Sequence, residues 1–175
     1  MKKFDLQLFA NKAIQGSKIL YLFRILSKAA TSNAMAMAFV TENERSKSKD
    51  VETTQTKDGA VLTPGAIEGE VSATAILSTD DTMAEELEDA LDNNEVLEIW
   101  EVNLEKPGTA DGKYKGRYFQ GYLTEFTLTS SSEEAAEYET TFALIGSGAK
   151  GDVTVSDEQM AVAEYVFADT QKTGA

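Results

Sequence analysis

The stretch Ala66-Ile-Glu-Gly-Glu-Val-Ser-Ala-Thr-Ala-Ile-Leu77 alternates small or apolar residues with polar ones. Its small and apolar positions are Ile67, Gly69, Val71, Ala73, Ala75 and Leu77, and its polar positions are Glu68, Glu70, Ser72 and Thr74. Successive side chains of a strand point to opposite faces of the sheet. The alternation therefore predicts a strand with one buried and one solvated face, which is typical of an antiparallel sheet.

Other parts of the chain show the same period of two. Long half-buried strands are predicted over residues 95–105, 117–129 and 137–145. Shorter strands are predicted over 34–41 and 152–155. Several strands separated by turn residues indicate a mainly β protein, built as a sandwich or a barrel.

One flanking α-helix is predicted among these strands, over residues 79–94. Thr79, Asp80 and Asp81 are candidates for its N-cap, and a capping box is predicted to start at Thr82. Hydrophobic residues at helical spacing provide one apolar face, so we expect the helix to pack against the sheet.

The chain has 175 residues, the length of one ordinary domain. We expect a single domain over residues 16–170, preceded by an N-terminal arm (1–15) and followed by a C-terminal tail (171–175). No run of apolar residues is long enough to span a bilayer, so no membrane insertion is expected.

Residues 18–28 differ from the other predicted strands because both faces are apolar. In a domain of this size, such a strand belongs either to a sandwich core or to a contact between subunits. We prefer the subunit contact, and its candidate residues are Leu20, Leu22, Arg24 and Leu26.

Residues 42–63 are rich in Ser, Thr, Lys, Glu, Asp and Gln and show no hydrophobic periodicity. A connection of roughly 20 residues is far longer than an ordinary hairpin loop, and such loops commonly have a function or become ordered on a partner. A long polar loop is therefore predicted here.

The composition excludes most enzymatic chemistry. The chain has no His and no Cys, so His-dependent triads, thiolate nucleophiles and thiolate zinc sites are impossible. The stretch Gly146-Ser-Gly-Ala-Lys-Gly151 matches a dinucleotide fingerprint, but a strand pattern follows it instead of a helix, so a turn is predicted. We expect no enzymatic activity, no metal and no cofactor.

The net charge of −14 is unevenly distributed. Residues 1–50 carry 9 basic and 4 acidic side chains, a net of +5, and residues 51–175 carry 7 basic and 26 acidic ones, a net of −19. This asymmetry allows head-to-tail contacts between copies, and the alternative is that both sets of charges are simply solvated surface. The acidic excess disfavours tight binding of nucleic acid.

Several stretches resemble the major tail proteins, or tail tube proteins, of bacteriophages with long non-contractile tails. These stretches are Lys18-Ile-Leu-Tyr-Leu-Phe-Arg-Ile-Leu26, Ala38-Phe-Val-Thr-Glu-Asn-Glu-Arg-Ser-Lys-Ser-Lys49, Lys57-Asp-Gly59, Glu98-Ile-Trp-Glu-Val-Asn-Leu104, Lys115-Gly-Arg-Tyr-Phe-Gln-Gly-Tyr-Leu123 and Gly151-Asp-Val-Thr-Val-Ser156. The resemblance implies a tail-tube-type β-sandwich or barrel that self-assembles into stacked hexameric rings. It also implies a place in the virion tail, assembly in the host cytoplasm, and contacts with tape measure, tail terminator and baseplate proteins.

The resemblance further implies roles for individual residues. In this family the long loop contacts the neighbouring ring, so the candidate stacking residues are Glu42, Glu44, Arg45, Lys47, Lys49 and Asp50. DNA passes through the tube, and a lumen lined by carboxylates would repel phosphates over a Debye length of about 8 to 10 Å and let DNA slide. The candidate lumen residues are Glu68, Glu70, Glu137 and Glu139.

Other functions are compatible with the same sequence. A head-tail connector or tail terminator would form a single ring and would not polymerise. A monomeric, lipocalin-like β-barrel would carry a small ligand in a buried pocket. A hydrolase that uses only carboxylates is the enzymatic alternative.

Overall fold

A computed structural model describes residues 13–79 and 81–163. The elements are, in chain order, β1 (Ile19–Ile25), β2 (Val40–Thr56), β3 (Gly59–Ile76), α1 (Thr82–Asp92), β4 (Val96–Pro107), β5 (Lys113–Thr129), β6 (Glu137–Leu144), β7 (Ala149–Thr154) and α2 (Asp157–Ala163). The predicted mainly β class is confirmed. Most of the predicted N-terminal arm, the whole C-terminal tail and the N-cap candidate Asp80 lie outside the described residues.

All seven strands belong to one antiparallel sheet. The strand order is β1-β4-β5-β6-β3-β2, and β7 pairs with the first part of β5. β6 pairs with the last part of β5, so β6 and β7 lie end to end along the same edge of that long strand. β6 reaches only the Gly69–Ile76 part of β3.

The sheet curls so that one of its faces becomes the interior. Phe23 in β1 stacks on Phe142 in β6 with 5.0 Å between ring centroids, although β4 and β5 separate those strands in the sheet. The buried side of α1 packs into the same core through Met83, Ala84, Leu87 and Ala90. We call this core side of the sheet the inner face and the opposite side the outer face.

Helix α1 is shorter than the predicted range 79–94. Its N-cap is Asp81, whose Oδ1 accepts hydrogen bonds from the backbone N–H groups of Met83 at 3.1 Å and Ala84 at 3.2 Å. Because Thr82 is already helical, the predicted capping box that starts at this residue does not form.

Strand β1 is buried on both faces by the chain itself. Leu20 and Leu22 lie in a second core on the outer face, 6% and 1% exposed. That core is covered by residues that precede β2 and residues near α2, namely Ala34, Ala36, Val155 and Met160. The chain itself thus covers Leu20 and Leu22, as the alternative of a core strand expects, and their predicted contact with another subunit stays a prediction.

Residues 42–63 form most of a long β-hairpin, so the predicted polar loop is wrong as secondary structure. β2 and β3 pair from Val40 opposite Ala75 to Thr56 opposite Gly59. Residues 49–67, which we call the distal hairpin, extend past β6, and nearly all of their side chains are exposed. A two-stranded ribbon without a buried face needs no alternation of hydrophobic residues. Backbone hydrogen bonds between β2 and β3 hold it together, so the sequence pattern does not reveal these strands.

The glycine-rich stretch at residues 146–151 contains the turn between β6 and β7, as predicted. Gly146 and Gly148 have positive φ angles of 71° and 69°, a conformation that favours glycine. A Cβ at Gly148 would clash with the Phe119 ring. Because β7 follows directly, no helix N-terminus is present to bind a pyrophosphate.

The second helix, α2, is absent from the sequence prediction. Ser156 and Gln159 form a reciprocal capping box at its start: the Gln159 N–H donates to Ser156 Oγ at 3.2 Å, and the Ser156 N–H donates to Gln159 Oε1 at 2.9 Å. Gln159 Nε2 also donates to the Ala34 carbonyl at 2.5 Å and ties α2 to the second core. The spacing of Ser156 and Gln159 is the signal that identifies this helix in the sequence.

Candidate assembly surfaces

The structure places the four predicted lumen residues on one face of the sheet, with three further glutamates. β2, β3, β6 and β5 are neighbours in this order, and residues opposite each other in the register share a face. Outside the distal hairpin, the exposed glutamates on the outer face of these strands are Glu42, Glu44, Glu68, Glu70, Glu125, Glu137 and Glu139. We call these seven residues the outer acidic face.

The register keeps these carboxylates apart. One row across the four strands is Glu42, Thr74, Glu139 and Thr127, and the next row is Glu44, Ser72, Thr141 and Glu125. Every glutamate of the face lies opposite Ser, Thr, Ala or Ile. Like charges directly opposite each other destabilise a sheet. This pattern therefore allows many glutamates on one face with less electrostatic repulsion between neighbouring strands.

A bulge in β5 adds Glu125 to the outer acidic face. The register shifts between Leu123 and Glu125, and the intervening Thr124 donates its hydroxyl to the Thr141 carbonyl at 3.0 Å. Strict alternation would place Glu125 on the inner face with Leu123, so the sequence pattern missed this member of the face. Phe126 turns inward beyond the bulge and packs against the core.

Within the described residues, no basic side chain neutralises this surface. The outward positions of β2, β3, β6 and the last part of β5 contain no Lys or Arg. None of the seven glutamates forms an ion pair with a basic residue of the described chain. All seven carboxylates are exposed to solvent.

Arg24, a candidate for the subunit contact, is instead engaged within the chain. Its Nε donates to Glu98 Oε2 at 2.7 Å, and the Tyr118 hydroxyl donates to Glu98 Oε1 at 2.9 Å. The Arg24 guanidinium also lies 5.1 Å from the Trp100 ring centroid. These contacts compensate the buried carboxylate of Glu98. The fourth candidate for the subunit contact, Leu26, is 37% exposed, and its role in that contact stays a prediction.

The predicted stacking residues divide between the two faces of the hairpin. Glu42 and Glu44 belong to the outer acidic face, and Asp50 lies at a bulge where two residues of β3 oppose it. Arg45, Lys47 and Lys49 alternate with the outward residues and point to the opposite side. The hairpin is thus acidic on one face and basic on the other.

Arg45 is anchored to the core. It forms an ion pair with Glu101 of β4, and its guanidinium lies 5.9 Å from the Phe119 ring centroid. The hydrogen bond with Glu101 raises the pKa of Arg45. Of the three basic candidates, only Lys47 and Lys49 are exposed on the described hairpin.

The described residues show neither a metal site nor a membrane span. Within 13–79 and 81–163, no group of three or more acidic side chains is placed to hold a metal ion. No helix in the same residues is long and apolar enough to cross a bilayer.

A curled sheet with a long exposed hairpin and an unpaired acidic face is typical of a structural protein that acts through extended surfaces. The model of the phage tail tube protein family matches residues 13–149, and the chain belongs to this family. A putative tail protein of Staphylococcus phage phiMR25 is 34% identical over 148 residues, which cover 82% of this chain and 77% of that protein. The tail tube protein gp17.1* of Bacillus phage SPP1 is 24% identical over 161 residues, which cover 92% of this chain but only 60% of the SPP1 protein.

Solved structures share the fold. The SPP1 tail tube structure matches with a TM-score of 0.73 at 21% identity, covering 93% of this chain and 95% of that one. The tail of a gene transfer agent particle, computed with C6 symmetry, matches with a TM-score of 0.58 at 17% identity, covering 78% and 98%. The resemblance to tail tube proteins is confirmed, and the chain is a structural component of the phage tail, not an enzyme.

Proposed function

We propose that this protein assembles into hexameric rings that stack into the tail tube, and that its outer acidic face lines the lumen through which DNA passes during ejection. The observation that carries this proposal is the face itself: seven exposed glutamates on four adjacent strands, without a neutralising base among the described residues. Carboxylates repel phosphates within roughly 8 to 10 Å at physiological salt, so DNA slides past without being captured.

Free sheet edges support the closure of rings. β2 is an outer strand of the sheet, and residues 123–129 of β5 have no strand partner on the side of β4 within the described chain. Unpaired strand edges present N–H and C=O groups that pair with another chain. The β2 edge of one subunit would then join the β5 edge of the next, and six copies would form a continuous inner barrel. The C6 symmetry used for the related gene transfer agent tail supports this number.

The distal hairpin supports stacking of rings. It extends past β6 and its side chains are exposed, so they are available to contact a neighbouring ring. The tube would end at a tail terminator on one side and a baseplate on the other, enclose the tape measure protein during assembly in the host cytoplasm, and become part of the virion.

Charge reversal tests the lumen. Phage carrying Glu68→Lys, Glu70→Lys, Glu137→Lys and Glu139→Lys together should assemble tails but eject DNA more slowly, because phosphates would bind the lumen. The matched control places the same change of charge on exposed acids elsewhere: Asp89, Asp92, Glu133 and Glu134. Normal ejection speed in the lumen variant would overturn the lumen assignment. If that variant forms no tubes, the corresponding Gln variants provide the comparison, and slower ejection is again expected.

Electron microscopy of the purified protein tests assembly. The proposal predicts long hollow tubes in negative stain, whereas isolated rings would indicate a connector or terminator. Replacing residues 49–67 by a short turn should leave folded subunits that form no tubes, and normal tubes from this variant would exclude the hairpin as the stacking element.

A further inference from the structure

The long hairpin of β2 and β3 has a side that is both basic and apolar, which begins at Lys47 and continues into the distal hairpin. Along β2, Lys47, Lys49 and Val51 share the side opposite to the outer acidic face. Leu62 joins them from β3, because it pairs with Thr53 on this side, and it is 64% exposed. We call Lys47, Lys49, Val51 and Leu62 the docking face.

A groove with the complementary chemistry lies beside the first turns of α1. Its apolar walls come from Leu77, Phe126 and Leu128, and Leu128 is 55% exposed. Its charged residues are all acidic: Asp81, Glu85 and Glu88. We call this the basal groove.

The two surfaces lie at opposite ends of the sheet. Leu128 pairs with Tyr138, and Tyr138 pairs with Ala75 at the end of β3, whereas Leu62 lies near the start of the same strand. At roughly 3.3 Å per residue, Leu62 and Leu128 are separated along the strands by about 40 Å. The docking face therefore cannot enter the basal groove of its own chain.

We propose that the basal groove receives the docking face of a second copy of this chain in the neighbouring ring. Leu62 and Val51 would pack on the apolar walls, and Lys47 and Lys49 would face the acidic rim. Because the surfaces differ and lie at opposite ends of the molecule, the contact is head-to-tail and repeats without closing, as an elongating tube requires. This inference rests on the ring stacking proposed above and names the surface that each hairpin meets.

Cysteine crosslinking tests the contact directly. The chain has no Cys, so introduced thiols are the only ones present. A Leu62→Cys, Leu128→Cys double variant is assembled, treated with an oxidant or a short bis-maleimide, and separated on a denaturing gel. Each subunit would be joined to the next ring, so the expected product is a ladder that extends beyond dimers.

The matched control is Val61→Cys with Leu128→Cys. Val61 is the neighbour of Leu62, is 52% exposed, and points to the other side of the hairpin. We expect at least fivefold less crosslinked product from this control. Tubes that give no ladder with Leu62→Cys, or equal ladders from both variants, would overturn the inference and leave the tail tube function standing. Wild-type protein that forms no tubes would remove the stacking proposal and this inference together.

A charge swap provides an independent test. Glu85→Lys with Glu88→Lys should reduce the yield of tubes at least fivefold, and adding Lys47→Glu with Lys49→Glu should restore it. The outer-face double variant Thr54→Glu with Thr56→Glu, whose cross-strand partners Val61 and Gly59 are uncharged, is the control and should not restore tubes. If the combined variant is folded by circular dichroism but its yield of tubes is not restored, the proposed pairing of the docking face with the basal groove is contradicted.

Discussion

Arg45 on β2 and Glu101 on β4 form an ion pair across the inner face of the sheet, although three strands separate β2 from β4 in the strand order. The Tyr21 hydroxyl donates to the same Glu101 oxygen at 2.9 Å, and Arg117 Nε lies 3.8 Å from the other oxygen. This carboxylate therefore links four strands where the hairpin leaves the core, and it holds the base of the hairpin in a defined position.

Replacing Glu101 by Gln should lower the free energy of unfolding by about 2 kcal/mol, because it leaves partly buried donors without a charged acceptor. Urea unfolding of dilute subunits, followed by the fluorescence of the single tryptophan Trp100, measures this loss. Glu44→Gln is the control, since Glu44 is exposed and forms no ion pair in the described chain, and we expect a change within about 0.5 kcal/mol. Equal losses would show that the Glu101 contacts contribute nothing specific.

Alkaline pH should destabilise the subunit through Tyr21. Burial and the neighbouring Glu101 raise the pKa of this tyrosine above its ordinary value of about 10. Because the folded-state pKa is the higher one, the stabilisation is complete below the unfolded pKa and is lost as pH rises above about 10. Urea midpoints between about pH 8 and 11 should fall less steeply for Tyr21→Phe than for the wild type. Parallel pH profiles would contradict this.

Tyr138 should contribute to the same alkaline loss. Burial, followed by the nearby Asp81 carboxylate, raises the pKa of this fully buried tyrosine. The Tyr21→Phe, Tyr138→Phe double variant is therefore expected to show a flatter pH profile than either single variant, measured in the same way. If the second substitution leaves the slope unchanged, Tyr138 does not titrate in this range.

Leu22→Ala should destabilise isolated subunits by about 2 to 5 kcal/mol, because Leu22 is buried in the second core of the chain itself. Leu26→Ala is the matched control and should cost less than about 1 kcal/mol, since Leu26 is exposed at the end of β1. Dilute subunits have no ring contacts, so urea unfolding under these conditions separates a core role from an interface role. A small effect of Leu22→Ala in subunits, combined with loss of tubes, would restore the subunit-contact interpretation.

Gly148→Ala should destabilise the turn between β6 and β7 by more than about 1 kcal/mol, because alanine is strained at a positive φ and its Cβ would clash with the Phe119 ring. Gly151→Ala is the control: it lies in β7 with open space around a Cβ and has no positive φ. Thermal unfolding should show a lower midpoint for Gly148→Ala only. Equal midpoints would contradict the requirement for glycine at 148.

The alternating strands were predictable because their signal is local. In the opening stretch, Val71, Ala73 and Ala75 are buried while Glu68 and Glu70 are exposed, as the period of two predicts. A half-buried strand must place apolar side chains on one face, so the sequence carries the information directly.

The hairpin and the bulge were not predictable in the same way. The distal hairpin is held by backbone pairing between β2 and β3, and backbone hydrogen bonds leave no periodic trace when both faces are solvated. The bulge at Thr124 reverses the faces of Glu125 and Phe126, and a single inserted residue is invisible to a pattern that assumes strict alternation.

The amino-acid sequence by itself determined which strands alternate, which side chains carry charge, and that chemistry based on His or Cys is impossible. Only the tertiary structure decided which carboxylates form ion pairs and which do not. Glu98 and Glu101 are paired with Arg24 and Arg45, while the glutamates of the outer acidic face have no basic partner in the described chain. The physical reason is that neutralising a side chain depends on residues that are distant in sequence. These meet when strands pair, as for Arg24 and Glu98, or when the sheet curls, as for Arg45 and Glu101.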